Sequence, residues 1–210
     1  MYGRRSMAKY LDDAASALPA PGGGSVAALA GALGASMASM AANFTVGRER
    51  FRKVEPKVKR LLAQSERARK RLLALVDEDV AAYSAYSKAS RLPRRTEAQK
   101  KFRSKEMQRA IKGALRVPLN TLRTTLKVLE ISAQLVDVAN PNLISDVGVS
   151  AALAEGALEA ASLNVEVNIP YLKDKSLAER AAKEVKEARK RASEVRRKVL
   201  SKVKRVIRKK

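Results

Sequence analysis

Histidine, cysteine and tryptophan are absent from the 210 residues, and the aromatics are three Phe and five Tyr. Each absence removes chemistry. Without His or Cys there is no Ser-His-Asp or Cys-His nucleophile. An ordinary zinc site lacks its ligands, and so do haem, iron–sulfur and thiol redox centres. Any deamination must proceed without the zinc of the nucleobase deaminases. No disulfide can form, which fits a reducing cytoplasm. Chemistry is left to carboxylates, Lys, Tyr, Ser, amides and backbone N–H groups. Strand signals are also scarce, and the one β-leaning run is Val165 to Ile169.

What is present points to helices. The 44 Lys and Arg outnumber the 21 Asp and Glu, for a net charge of +23, and 46% of residues are hydrophobic. Much of that fraction is Ala, which predicts closely packed helices rather than a core of large rings. The length suits a single domain spanning residues 1–210. No charge falls between Leu18 and Gly47, long enough to raise the question of a membrane span. Its Ala, Gly and Ser content and its prolines, Pro19 and Pro21, favour a buried helix over a span, so no membrane is expected. The basic start, Met1 to Tyr10, runs into Asp12 and Asp13 instead of an apolar stretch. That is not a signal peptide, and a cytoplasmic location is expected.

The chain divides into five or six helices. A short one covers about 7–18, stopped by Pro19 and Pro21. Ser25 is a candidate N-cap for a helix to about Thr45, with Gly47 as its stop. Along it Gly24, Ala28, Gly31, Ala35, Ala38 and Ala42 leave room for a neighbouring backbone, so this helix is expected at the centre. Pro56 opens a long helix to about Ser90. Thr96 and Gln99 match a capping box for another, to about Ala139, which Pro118 should kink or divide. A helix over about 143–164 follows the Asn140-Pro141-Asn142 turn. Ser176 with Glu179 matches a second capping box, for a basic C-terminal helix at about 174–208. There Val185, Ala188, Ala192, Val195, Val199 and Val203 form a narrow apolar seam. An all-α bundle of mostly antiparallel helices results.

Charge is unevenly spread. Residues 183–210 carry fourteen Lys and Arg against three Glu, whereas residues 128–172 carry no Lys or Arg and six acids. The acidic stretch must be buried or face a basic surface. The basic tail offers phosphate contacts to a nucleic acid, but no interleaved aromatics for base stacking.

Three places stand out for chemistry. Pro21-Gly22-Gly23-Gly24-Ser25 sits directly before a helix, where open N–H groups and the helix dipole favour an anion. It is neither a P-loop nor a dinucleotide fingerprint, and a tight turn between packed helices is the plainer account of it. Asp77-Glu78-Asp79 lies in mid-helix. The neighbours Leu72, Leu75, Val76 and Val80 put Asp79 near the buried side, where a carboxyl with a raised pKa exchanges protons near neutrality. A solvated acidic patch is the plainer alternative. Finally Asn140, Asn142, Ser145 and Asp146 gather at a helix start, with Asn164 and Asn168 among Leu163, Val165, Val167 and Ile169. Capping explains some of these, and amides in apolar surroundings need partners from the protein or from a ligand.

Together the segments resemble the formiminotetrahydrofolate cyclodeaminase and methenyltetrahydrofolate cyclohydrolase family. The similarity runs, in family order, through residues 18–34 around Pro-Gly-Gly-Gly-Ser, Asn43-Phe44-Thr45-Val46-Gly47 and residues 77–83. It continues through Asn140-Pro141-Asn142-Leu143-Ile144-Ser145-Asp146 and residues 163–168. The resemblance implies an all-α homodimer that takes a reduced folate as substrate, with no tightly bound cofactor and no metal. It implies cyclodeamination of 5-formiminotetrahydrofolate to 5,10-methenyltetrahydrofolate and ammonia, or the alternative cyclohydrolase reaction giving 10-formyltetrahydrofolate. On the matching positions it implies catalytic roles for Asp79 and Asp146. Gly22, Gly23, Gly24, Ser25, Asn43, Arg48, Asn142 and Asn164 become substrate contacts, with Arg48 or a nearby Lys on the glutamate tail. Two further readings keep the fold. One is a folate-binding dimer without activity, motivated by Ala20 where most members carry Thr and by the extra basic charge. The other is a nucleic-acid-associated protein acting through the tail.

Overall fold

The computed structural model describes residues 1–208, and those residues form six α-helices joined by short 3-10 turns and loops, with no strand. The helices are α1 (Met7–Ala15), α2 (Gly23–Asn43), α3 (Glu55–Ser90), α4 (Glu97–Leu135), α5 (Ile144–Glu166) and α6 (Lys175–Ile207). Side-chain meetings fix their directions. Gly24, Gly31 and Ser39 of α2 meet Asp79, Leu72 and Ser65 of α3 in turn, so the two run antiparallel. Gly23 and Gly34 meet Asn164 and Ser150 of α5, again antiparallel. The result is an up-and-down bundle with α2 against α3, α4 and α5.

The small residues of α2 explain its place. Ala28, Ala35, Ala38 and Ala42 have no exposed surface. A methyl at Gly31 would lie 2.7 Å from Thr125 on α4. By length and composition α2 is apolar enough to cross a membrane; here it fills the core. Hydroxyls buried with it are satisfied: Ser39 bonds Ser65 at 2.7 Å, and Ser132 bonds Ser150 at 2.9 Å.

Several element ends differ from the sequence reading. The first helix stops at Ala15, where the Ser16 hydroxyl donates to the Asp13 carbonyl at 2.7 Å. The second begins at Gly23 with Gly22 as cap; Ser25 is not the cap but a first-turn residue. It ends at Asn43, and Gly47 follows in the left-handed region at φ +74°. Pro118 does not divide α4. Leu115, Val117, Leu119 and Leu122 are buried on either side, and their packing outweighs one lost backbone bond. Val165 completes the buried seam of α5 with Leu158 and Ala161 instead of starting a strand. The capping box at Thr96 and Gln99 forms. The one expected at Ser176 and Glu179 does not, because the Asp174 carboxylate caps α6 through the Leu177 N–H at 3.0 Å.

The acidic stretch faces a basic surface. Glu130 pairs with Arg191, Asp137 with Lys202, Glu155 with Arg196, and Glu159 and Glu166 both grip Arg189. Much of the charge on α6 is thus spent in docking it to α4 and α5. Residues 209–210 of the basic tail lie outside the described residues.

Candidate functional site

The three acids of α3 go three ways. Asp77 accepts from the backbone N–H groups of Tyr2 and Gly3. Glu78 pairs with Arg71 seven residues earlier. Asp79 turns to the glycine loop, where its Oδ2 accepts the Ser25 N–H at 2.9 Å. That N–H is one of the first-turn donors a helix cannot satisfy itself, so Asp79 caps α2 from the neighbouring helix. Its Oδ1 has no hydrogen-bond partner among the described residues and stands over Gly24, where a methyl group would lie 2.2 Å from it. Only glycine admits the carboxylate at this distance. Burial raises the Asp79 pKa, and the Ser25 N–H opposes the rise.

Two more groups complete this end. Asn164 of α5 lies against Gly23, with its amide 3.4 Å from where a Gly23 methyl would be, and donates to the Ala160 carbonyl at 2.8 Å. Tyr10 of α1 is 4% exposed and shares a 3.0 Å hydrogen bond with the Ser25 hydroxyl. Tyr10 was missed in the sequence. Its signal was scarcity, since Tyr2 and Tyr10 are two of only five tyrosines and both sit in the first ten residues. Their rings meet edge-on at 5.4 Å.

The other expected site residues lie at the far end of α2. Asn43 and Arg48 are exposed there, and the Arg48 side chain donates to the Phe44 carbonyl at 2.9 Å. Asn140 is structural: its N–H donates to the Thr45 hydroxyl at 2.9 Å and its amide to the Phe44 carbonyl at 3.3 Å. It also fixes the turn by accepting the Asn142 N–H at 3.1 Å. Asn142 is exposed beside it. Asp146, in the first turn of α5, is half-buried, and no hydrogen bond or ion pair reaches it among the described residues. Of the six acids between 128 and 172 it alone is left unpaired there. A cavity of about 350 Å³ opens beside Arg48, lined also by Arg52, Glu55 and Lys59.

One chain therefore holds two groups of expected site residues rather than one. Gly22, Gly23, Gly24, Ser25, Asp79 and Asn164 meet at the start of α2. Asn43, Arg48, Asn142 and Asp146 gather past its end. A helix of 21 residues separates them by about 30 Å. Among the described residues no three carboxylates gather as a metal site.

An up-and-down helical bundle, its central helix opened by glycines and capped by a carboxylate from the next helix, is the class that fold and site define. The formiminotransferase-cyclodeaminase family model matches residues 6–187. A methenyltetrahydrofolate cyclohydrolase of Methylorubrum extorquens is 38% identical over 185 residues, covering 88% of this chain and 89% of that protein. A formimidoyltransferase-cyclodeaminase of Mus musculus is 34% identical over 74% of this chain, which spans 29% of that longer protein. The crystal structure of formiminotetrahydrofolate cyclodeaminase from Thermotoga maritima superposes with a TM-score of 0.88 at 26% identity, over 99% of this chain and all of that one. The chain belongs to the formiminotransferase-cyclodeaminase family, a family of folate one-carbon enzymes.

Proposed function

We propose that the protein is a cyclohydrolase acting on the carbon held between N5 and N10 of a reduced folate, with Asp79 as its proton-handling group. The observation that carries this reading is the Asp79 carboxyl, half-buried over Gly24 with Oδ1 open. Water attacks the methenyl carbon and gives one proton to Asp79. The C–N5 bond then breaks, the carbonyl forms, Asp79 returns the proton to N5, and the second proton of the water leaves to solvent. The product is 10-formyltetrahydrofolate. Burial suits Asp79 to both halves of this exchange because it narrows the gap between carboxyl and water chemistry at neutral pH. The first-turn N–H groups of α2 and the Asn164 amide orient the substrate. The 38% identity to a cyclohydrolase over 88% of this chain supports hydrolysis over the deamination that ranks first on sequence alone.

The second reading is cyclodeamination, favoured by the likeness to the Thermotoga maritima enzyme. N10 attacks the formimino carbon, and Asp79 passes the N10 proton to the departing nitrogen. Both readings use one carboxyl on one tetrahedral carbon. An absorbance assay for methenyltetrahydrofolate separates them: decay in water marks the hydrolase, and appearance from the formimino compound marks the deaminase.

A homodimer completes the proposal. Val26, Leu33 and Met40 of α2 are exposed at seven-residue intervals, and α5 exposes Val149 and Leu163. Both stripes stand on the sides away from α4, because Gly31 and Ser150 face it. An uncharged apolar face two helices wide is out of keeping with a protein of net charge +23. A second copy fits it. A two-fold axis across the helices reverses the partner, so the Asn43, Arg48, Asn142 and Asp146 end of one chain meets the Asp79 end of the other. The pterin then lies at Asp79, while Arg48 from the partner takes the glutamate carboxylates and Asp146 and Asn142 position the ring. The protein is placed in the cytoplasm on this reading, with folate rather than nucleic acid as its anionic ligand.

A further inference from the structure

Tyr10 spends its hydroxyl in an unusual place. Packing alone would be served by Phe, since the ring is buried and stacks edge-on against Tyr2. The hydroxyl instead bonds Ser25 at 3.0 Å, and the N–H of the same Ser25 holds Asp79 at 2.9 Å. Burial raises the Tyr10 pKa, the Ser25 hydrogen bond opposes the rise, and the nearby Asp79 charge adds to it. The tyrosine cannot swing away. Tyr2 is pinned behind it by its own N–H and that of Gly3, both donating to Asp77, two residues before Asp79, and by its hydroxyl on Asp13 at 3.0 Å. Asp13 is buried and is held in turn by Lys9 at 2.6 Å. The N-terminal arm and α3 thus close around the start of α2 from both sides.

We propose that Tyr10 is a positioning residue: through Ser25 it sets the first turn of α2, and so the place and direction of the Asp79 carboxyl. This rests on the reading that Asp79 moves the proton. Tyr10 does not touch the substrate. Its hydroxyl fixes the Ser25 side chain, which leaves the Ser25 N–H aimed at Oδ2 and Oδ1 turned outward over Gly24.

The test compares Y10F, S25A, the double variant and D79N in steady-state turnover of methenyltetrahydrofolate, with equilibrium binding of the folate alongside. Y10F keeps the ring and removes only the hydroxyl. It should lower kcat about tenfold and leave KM within about twofold, because the reacting group is displaced while the binding surface stays. S25A should match it, and the double variant should be no worse than either single one, since both break one bond. A purely structural role predicts a lower Tm with kcat and KM within about twofold of the parent, and that result overturns the proposal. So does a double variant whose losses multiply. If Y10F fails to fold, S25A reads the same hydrogen bond from its other side. Full turnover in D79N removes the proton-handling reading itself, whereas an inactive D79N beside a fully active Y10F removes only the role of Tyr10.

Discussion

Gly24 and Asp79 decide the site between them, and each constrains the other. A Gly24 side chain would meet Oδ1 at 2.2 Å, so Gly24→Ala must push the carboxyl aside. We expect G24A to fold and to lose turnover by about 10²-fold, the cost of misplacing a reacting group by about an ångström; kinetics with a circular-dichroism control checks this. Asp79 also carries a stability signature. Its pKa is higher in the folded chain than in the unfolded one, so the native state holds this proton more tightly. Stability is therefore full below the ordinary carboxylate range and falls as pH rises through the folded pKa. D79N should unfold at a higher temperature than the parent at pH 7 and lose that advantage near pH 3, measured by thermal melts at both values. Sequence reasoning singled out Asp79 from the Asp77-Glu78-Asp79 run through its apolar neighbours, but not the partners that each acid meets. Asp77 and Asp79 meet partners 75 and 54 positions away, and nothing local encodes those.

At the scale of elements, the periodic helices were legible and their ends were not. The seam of α6 follows its valines and alanines as read. Its N-cap moved to Asp174 because an acid two residues earlier outcompeted Ser176 for the same orphan donors. Ser25 lost its cap position to a carboxylate from another helix, a tertiary substitute that no window of sequence contains. The acid-rich, cation-free stretch left two outcomes open, burial or a basic face, and five of its six acids take the second. Arg189 is the centre of that docking, held by Glu159 and Glu166 two turns apart on α5. These groups are largely solvated, so the pairing stabilises modestly. Arg189→Ala should cost about 1 kcal/mol, or about 2–4 °C in Tm, with the difference shrinking in high salt.

At the scale of the molecule, the separation of the expected site residues is the finding that sequence order could not supply. Motifs at 22–25 and 140–146 read as one site, yet antiparallel packing sends them to opposite ends of α2. The proposed dimer would reunite them, and it makes a sharp prediction. Asp79→Asn and Asp146→Asn chains, each inactive alone, should regain activity when mixed and exchanged. Half the dimers are then mixed, with one of two sites intact, so about one quarter of parental activity returns. Leu33→Glu should give monomers by sedimentation and abolish turnover with the helices retained.

Asp79 is the claim on which the others depend, and its direct test is the decay of the methenyltetrahydrofolate absorbance with parent and D79N enzyme at equal folate occupancy. The account predicts that D79N binds the folate and turns it over at least about 10²-fold more slowly. Turnover within about twofold of the parent would contradict it.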